Sequence, residues 1–175
     1  ESNGMIVLKE AEYASVFGMA ASLALHPIAS ESMSKGRSEL SLIAEDSTNN
    51  VIVRSRLDFV PDGKDYLSDV KTTVSADASD FESKAFDSGF HIQAALYLDL
   101  WNSLTGDHRT AFRFIVVEQK PPYAANVFQC SKEFLERGAE DYKRTLSLYA
   151  KCVLSNHWPA YPIVLNALTL PKWVK

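Results

Sequence analysis

With 175 residues, 46% of them hydrophobic and 23% charged, the chain has the composition of one folded domain with a sizeable core, not of a disordered segment or a fibre. Its net charge of −4 argues against a protein that coats nucleic acid through a basic surface, while leaving room for a locally basic groove. No apolar run approaches the roughly 20 residues of a membrane span, Glu1-Ser2-Asn3-Gly4 is no signal peptide, and Cys130 and Cys152 lie outside any CxxC spacing, which excludes a four-cysteine metal site within the chain.

Residues Lys9 to Leu25 carry Tyr13, Val16, Phe17, Ala20, Ala21, Ala24 and Leu25 at helical spacing and predict a first helix. It stops near His26, because Pro27 disfavours helical geometry in the residue before it. A lone histidine there ordinarily caps the helix or stays on the surface. Ser30 to Ser38 is Ser-rich and reads as a loop. Strands follow at Glu39 to Ala44 and Asn50 to Val60, joined by turn residues at Asp46-Ser47-Thr48-Asn49. Alternation puts Ile52, Arg54, Arg56 and Asp58 on one face of the second strand, and Val51, Val53, Ser55, Leu57 and Phe59 on the other.

Pro61-Asp62-Gly63-Lys64 then turns the chain into a third strand, Asp65 to Thr72. Pairing Val60 with Asp65 sets Asp58 opposite Leu67 and makes Asp69 its diagonal neighbour, with Lys71 on the same face as Asp69. Two carboxylates and an ammonium in one patch repel or pair in a way that asks for a cation between the acids. Arg54 and Arg56 approach that patch, either to neutralise the acids or to take a phosphate.

After a loop at 72–77, Ser79 or Asp80 is expected to cap a helix beginning near Phe81, which Gly89 breaks or kinks. Phe90 to Leu104 is helical by its spacing, with Ile92, Leu96, Leu100, Trp101 and Leu104 as core positions and Gln93 and Tyr97 sharing a face. That pair alone reads as structural as readily as functional, since tyrosine often buries its ring and leaves its hydroxyl at the rim. Thr110 to Glu118 and Ala124 to Gln129 form a second hairpin around Pro121-Pro122. Ser131 caps a last helix, Lys132 to Leu154, with Phe134, Leu135, Tyr142, Leu146 and Tyr149 facing the core. The tail, 156–175, is too apolar for a free linker and is expected to dock on the body or on another subunit. No repeat, Gly-rich phosphate loop or GxSxG elbow occurs. The chain reads as a single domain over 1–175, located in the cytoplasm, and its opening on Glu rather than Met suggests a piece of a longer polypeptide.

The order helix, three strands, helix, two strands, helix, with an acid on the second strand and Asp-x-Lys on the third, resembles the PD-(D/E)XK nuclease superfamily. Leu57-Asp58 stands where that motif often has Pro-Asp, and Asp69-Val70-Lys71 matches its second half. The resemblance implies an α/β (α+β) fold with a central mixed sheet of about five strands flanked by helices. The further runs Asp69-Val70-Lys71-Thr72-Thr73, His91-Ile92-Gln93-Ala94-Ala95-Leu96-Tyr97, Trp158-Pro159-Ala160 and Leu170-Pro171-Lys172-Trp173, with His26-Pro27 upstream, are similar to the catalytic domain of exonuclease VIII, the RecE-type enzymes of prophages.

This likeness implies that Asp58 and Asp69 hold Mg²⁺ with the Val70 carbonyl and His26, and that Lys71 orients or deprotonates the attacking water. It implies that Gln93 and Tyr97 position water or phosphate and that Glu39 lies near the site. Oxygen ligands suit Mg²⁺, and a histidine beside them also accepts Mn²⁺. The implied activity is digestion of linear double-stranded DNA from 5′ ends, in a ring-like homo-oligomer, leaving single strands for an annealing protein in phage-type recombination. The residues themselves leave two other readings open: a restriction- or repair-type endonuclease on the same fold, and a non-catalytic DNA-binding or assembly module.

Overall fold

A computed structural model of the protein describes residues 7–171. The elements run α1 (Glu10–Leu25), α2 (Pro27–Ser32), β1 (Gly36–Asp46), β2 (Val51–Pro61), β3 (Tyr66–Thr73), α3 (Ala78–Asp87), α4 (Phe90–Thr105), β4 (Ala111–Glu118), β5 (Ala125–Gln129) and α5 (Lys132–Ser155). The five strands make one sheet in the order β1-β2-β3-β4-β5, antiparallel except for the parallel pair β3 and β4. A parallel pair needs a long crossover, which α3 and α4 supply. The mixed sheet with its helices is the fold expected from the sequence.

Alternation along the central strands sorts the two faces of the sheet. Asp69 and Phe114, paired across β3 and β4, face α4, where Gln93 reaches Asp69. Their alternating neighbours Ser68 and Arg113 meet α2 on the other face, Ser68 Oγ donating to the Ser32 carbonyl (3.4 Å) and Arg113 to Ser32 Oγ (3.0 Å). The core lies on the α4 side, where Leu57, Leu67, Phe112, Phe114 and Val116 of the sheet meet Phe81 of α3 and Ala94, Leu98 and Trp101 of α4. Burying one such side chain contributes about 1.5–3 kcal/mol, against about 0–1 kcal/mol for an exposed ion pair. Leu42 and Leu57 therefore fasten the β1–β2 hairpin to the body, and the exposed Arg56–Glu39 pair does not.

Helix α5 covers the outer side of α4, so α4 is buried between the sheet and α5. This two-sided burial moves its core positions: His91, Ala94, Ala95, Leu98, Leu100 and Trp101 are buried, and Leu104, expected inside, is exposed. The helices meet closely at Gly138, where a Cβ would stand 1.9 Å from the backbone oxygen of His91. Nearby, Asp141 accepts from Arg137 Nε (2.6 Å) and Arg144 (2.7 Å) and lies 3.3 Å from His91 Nε2, tying the helices together. Tyr142 donates to Asp99 across the same interface. Tyr149, also expected inside, is exposed.

Several local expectations change. The Ser-rich stretch after His26 is not a loop: Pro27 starts α2, because proline's fixed φ suits a first helical position, and His26 caps it by accepting at Nδ1 from the Ala29 N–H (3.2 Å). Strand β1 then begins at Gly36, ahead of Glu39. Helix α3 is capped by Asp77, which accepts from the Ser79 N–H, and not by Ser79 or Asp80. The β2–β3 pair aligns Phe59 with Ser68, so Asp58 projects opposite Asp69 itself and not opposite Leu67; the connection is longer than the turn read from Pro61 to Lys64. Helix α1 has its expected extent but buries no residue: Tyr13, Val16, Phe17 and Leu25 are exposed, with Tyr13 and Phe17 in mutual ring contact. Helical spacing marks an apolar face and says nothing of what covers it.

After α5 the chain has no regular structure through residue 171. Trp158 packs edge-on against Tyr149 of α5, while Tyr161, Ile163, Leu165 and Leu168 stand fully in solvent. Docking of this tail on another subunit stays a proposal. Lys172 and Trp173, part of the last run quoted above, lie outside the described residues. No helix among the described residues is long and apolar enough to cross a membrane.

Candidate active site

Asp69 is almost fully buried in the middle of β3, a costly position for a carboxylate unless partners surround it. Gln93, one turn into α4, donates from Nε2 to Asp69 Oδ1 (2.6 Å) and accepts at Oε1 from Lys71 Nζ (2.9 Å). Lys71 Nζ also lies 2.6 Å from Asp69 Oδ2, so acid, amide and amine close a small ring of contacts. Apart from that ion pair, Asp69 Oδ2 has no partner among the described residues. The ammonium rests over the Phe90 ring, 4.6 Å from its centroid, with Phe114 at 5.8 Å.

Asp58 enters from β2. The β2–β3 ladder is matched at Phe59 and Ser68, and beyond that pair the Asp58 carboxylate takes the Val70 N–H (2.9 Å), filling the place of a ladder bond. On its other side the β1–β2 register skips the Glu39–Asp58 pair, where Glu39 adopts a left-handed φ of 56°. Residues held off the favoured backbone regions tend to cluster at functional sites. Tyr97, one turn beyond Gln93, feels both acids: burial first, and then the Asp69 charge, raises its phenol above the ordinary range.

Of the residues singled out in the sequence, the fold brings together Asp58, Asp69, Lys71, Gln93 and Tyr97. Arg56 is nearby but turned to Glu39, its Nε 2.6 Å from Oε2, rather than to Asp58 or Asp69. Arg54 is exposed on the same face of β2. His26 is not gathered with the acids: among the described residues no three His, Cys, Asp or Glu side chains come close enough to hold a metal ion together. Phe90 and Phe114 under Lys71 were missed, because a parallel register linking Asp69 to Phe114 cannot be read from one strand. A Phe opening the helix directly after Gly89 was the one available signal. The buried His91–Asp141 pair, 50 residues apart, was missed for the same want of local signal.

The donor set suits a hard cation. Mg²⁺ sites commonly use one or two carboxylates and leave the remaining positions to water and substrate phosphate, and the buried Oδ2 of Asp69, met by the Lys71 ammonium alone, is an oxygen with ligating capacity left over. Burial raises the Asp69 carboxyl above its ordinary range, with the Lys71 charge pulling the other way and Asp58 adding to the rise. A group with a raised folded-state pKa stabilises the fold below its unfolded value, about 3.9, and that contribution is lost as pH rises through the folded value. Asp69→Asn is therefore expected to melt higher than the parent protein at pH 7 in EDTA, with the gap closing near pH 3.5. Equal gaps at both pH values would refute this.

Comparison with known proteins follows the same line. The family model described as "PDDEXK-like domain of unknown function (DUF3799)" matches residues 2–164. The crystal structure of a protein described as "Putative exonuclease" from Eubacterium rectale superimposes with a TM-score of 0.64 at 16% identity, over 89% of this chain and 64% of that one. The crystal structure of SSO0001 gives a TM-score of 0.41 at 15% identity, over 73% of this chain and 58% of that one. The chain thus spans less than two thirds of either structure's length. No curated protein matches in sequence.

Proposed function

Because this chain belongs to the family of PDDEXK-like domains (DUF3799), and so to the PD-(D/E)XK nuclease superfamily, we propose that it is a metal-dependent exodeoxyribonuclease of the RecE type, digesting linear double-stranded DNA from 5′ ends. The observation that carries this reading is the convergence of Asp69, Lys71 and Gln93 on one set of contacts, with Asp58 held beside them by the Val70 N–H. The structural likeness to the Eubacterium rectale protein described as an exonuclease supports it.

In this reading Asp58 and Asp69 hold the cation with the Val70 carbonyl, and His26 would have to join through Nε2, since its Nδ1 caps α2. The cation, Mg²⁺ or Mn²⁺, would supply charge neutralisation at the phosphate and a lowered pKa for the attacking water. Lys71 presents Nζ to orient that water or take its proton, and Gln93 keeps the amine on station. Tyr97 stays protonated at neutral pH and can donate to a phosphate oxygen. Arg54 and Arg56 contact the backbone of the strand, Arg56 after leaving Glu39. The single strand left by digestion would pass to an annealing protein in recombination, and the exposed tail would join copies into a ring.

The test is digestion of end-labelled linear duplex with Mg²⁺, comparing 5′ and 3′ labels against a closed circle. Early release of the 5′ label with an intact circle is expected. Cutting of the circle would point to an endonuclease, and no digestion with either metal to a binding module.

A further inference from the structure

Between α3, β5 and the start of α5 lies a cavity of about 350 Å³ that the site described above does not use. Its walls are the rings of Phe81, Phe86, Phe114, Phe128 and Phe134, with Cys130 at the back. Phe81 and Phe128 are stacked, their centroids 4.6 Å apart. Burial pushes the Cys130 thiol up to about 12, so it is a neutral, apolar wall at any working pH. Small-molecule sites have this size and this aromatic lining, with few polar groups.

Two observations say what the cavity takes. First, it adjoins the catalytic group: Phe114 is at once its wall, the partner of Asp69 across β3 and β4, and a ring 5.8 Å from Lys71 Nζ. Second, the aromatic lining is broken by polar side chains, Gln129 and Ser131 among them. His91, outside that lining, stacks on Phe86 (4.6 Å) and meets Phe134 edge-on (5.6 Å), bracing both walls. An occupant therefore has to be flat and π-stacking, carry a hydrogen-bonding edge, and arrive with the substrate of the neighbouring site. The exposed Glu82 adds an acceptor to the lining.

We propose that this cavity receives one unstacked nucleobase of the DNA strand held in the active site, a binding subsite that rests on the nuclease reading above. Stacking on a Phe ring is available to every base, so the subsite grips without selecting a sequence. It also fixes which phosphate stands at Lys71, counted from the captured base.

The test uses the full chain carrying Lys71→Gln with Mg²⁺, so that strands persist, and labelled oligonucleotide duplexes in which one abasic residue is moved position by position along the terminal nucleotides. One position is expected to weaken binding about tenfold, the scale of a lost base–aromatic stack, while its neighbours change little. Filling the cavity with Ala85→Leu should remove that position dependence. Because Ala85 is buried, Phe86→Ala, which trims an exposed wall ring, is the second variant and should also flatten the profile. Equal binding for every abasic position, or a tenfold step that survives both variants, overturns the subsite while leaving the nuclease reading intact. Absence of DNA binding by every duplex overturns both.

Discussion

In the proposed Mg²⁺-dependent digestion, Lys71→Gln is expected to lower the rate by about 10²–10⁴-fold, the range of a positioned acid–base group, while the protein stays folded. Glutamine is the informative replacement. Asp69 is buried and its Oδ2 faces Lys71 at 2.6 Å; removing the amine outright would leave a buried carboxylate with Gln93 as its one hydrogen-bonding partner, a loss that destabilises by itself. A glutamine can still offer an N–H to Asp69, so the chemistry and the fold separate. Lys71→Ala should lose digestion equally and also melt lower. Rates from end-labelled duplex and melting curves of the two variants check this, and digestion at the parent rate by Lys71→Gln would remove Lys71 from the mechanism.

Gly138→Ala is expected to be the most damaging conservative change in the helical layer. An alanine in an exposed helix interior ordinarily gains about 1 kcal/mol over glycine. Here the new Cβ would stand 1.9 Å from the His91 carbonyl oxygen and 3.0 Å from the Ala95 side chain. The first neighbour is backbone, held within a buried helix, and cannot swing aside. Overpacking of this kind costs about 1–3 kcal/mol or more, and for a protein of this size each kcal/mol moves Tm by roughly 2–4 °C. A fall of roughly 5 °C, measured calorimetrically, is the expected outcome. Gly18→Ala is the contrast, since its Cβ meets the ring of Tyr123, a side chain that can move, beside a helix that buries nothing. An unchanged Tm in Gly138→Ala would mean that α4 and α5 are not packed as described.

The sheet was legible because its strands alternate. Asp69 and Lys71 against Val70 fix strand and face without any knowledge of neighbours, whereas in β2 the expected alternation breaks at Asp58, which lies opposite Asp69 on the side where Leu57 joins the core. The Ser131 cap was legible because capping chemistry is local. What failed was either short or distant. Helix α2 has six residues, too few for a period to show, and Pro27 was read as a stop for α1 when it is also a start. The β2–β3 register depended on turn length, which Pro and Gly signal but do not count. For the site, spacing within β3 and within α4 gave Asp69 with Lys71 and Gln93 with Tyr97, but only the crossover brings the two pairs together. His26 was carried by resemblance alone, and its observed partner is the Ala29 N–H.

The gap in the ladder beside Asp58 has a consequence for how the molecule opens. Two units contribute the acids: a hairpin of β1 and β2, closed by pairing along its own length, and a unit of β3, α3, α4 and β4. They join along a seam with one matched backbone pair, the Asp58–Val70 bond, and two like charges facing each other. Opening free energies vary across a protein, and the weakest seam gives way first. In hydrogen exchange the amides along this seam should be released ahead of those between β3 and β4, with the hairpin lifting as a flap. Whatever neutralises Asp58 and Asp69 then acts as the clasp of that flap, so the protein's rigidity and its readiness for chemistry rise together.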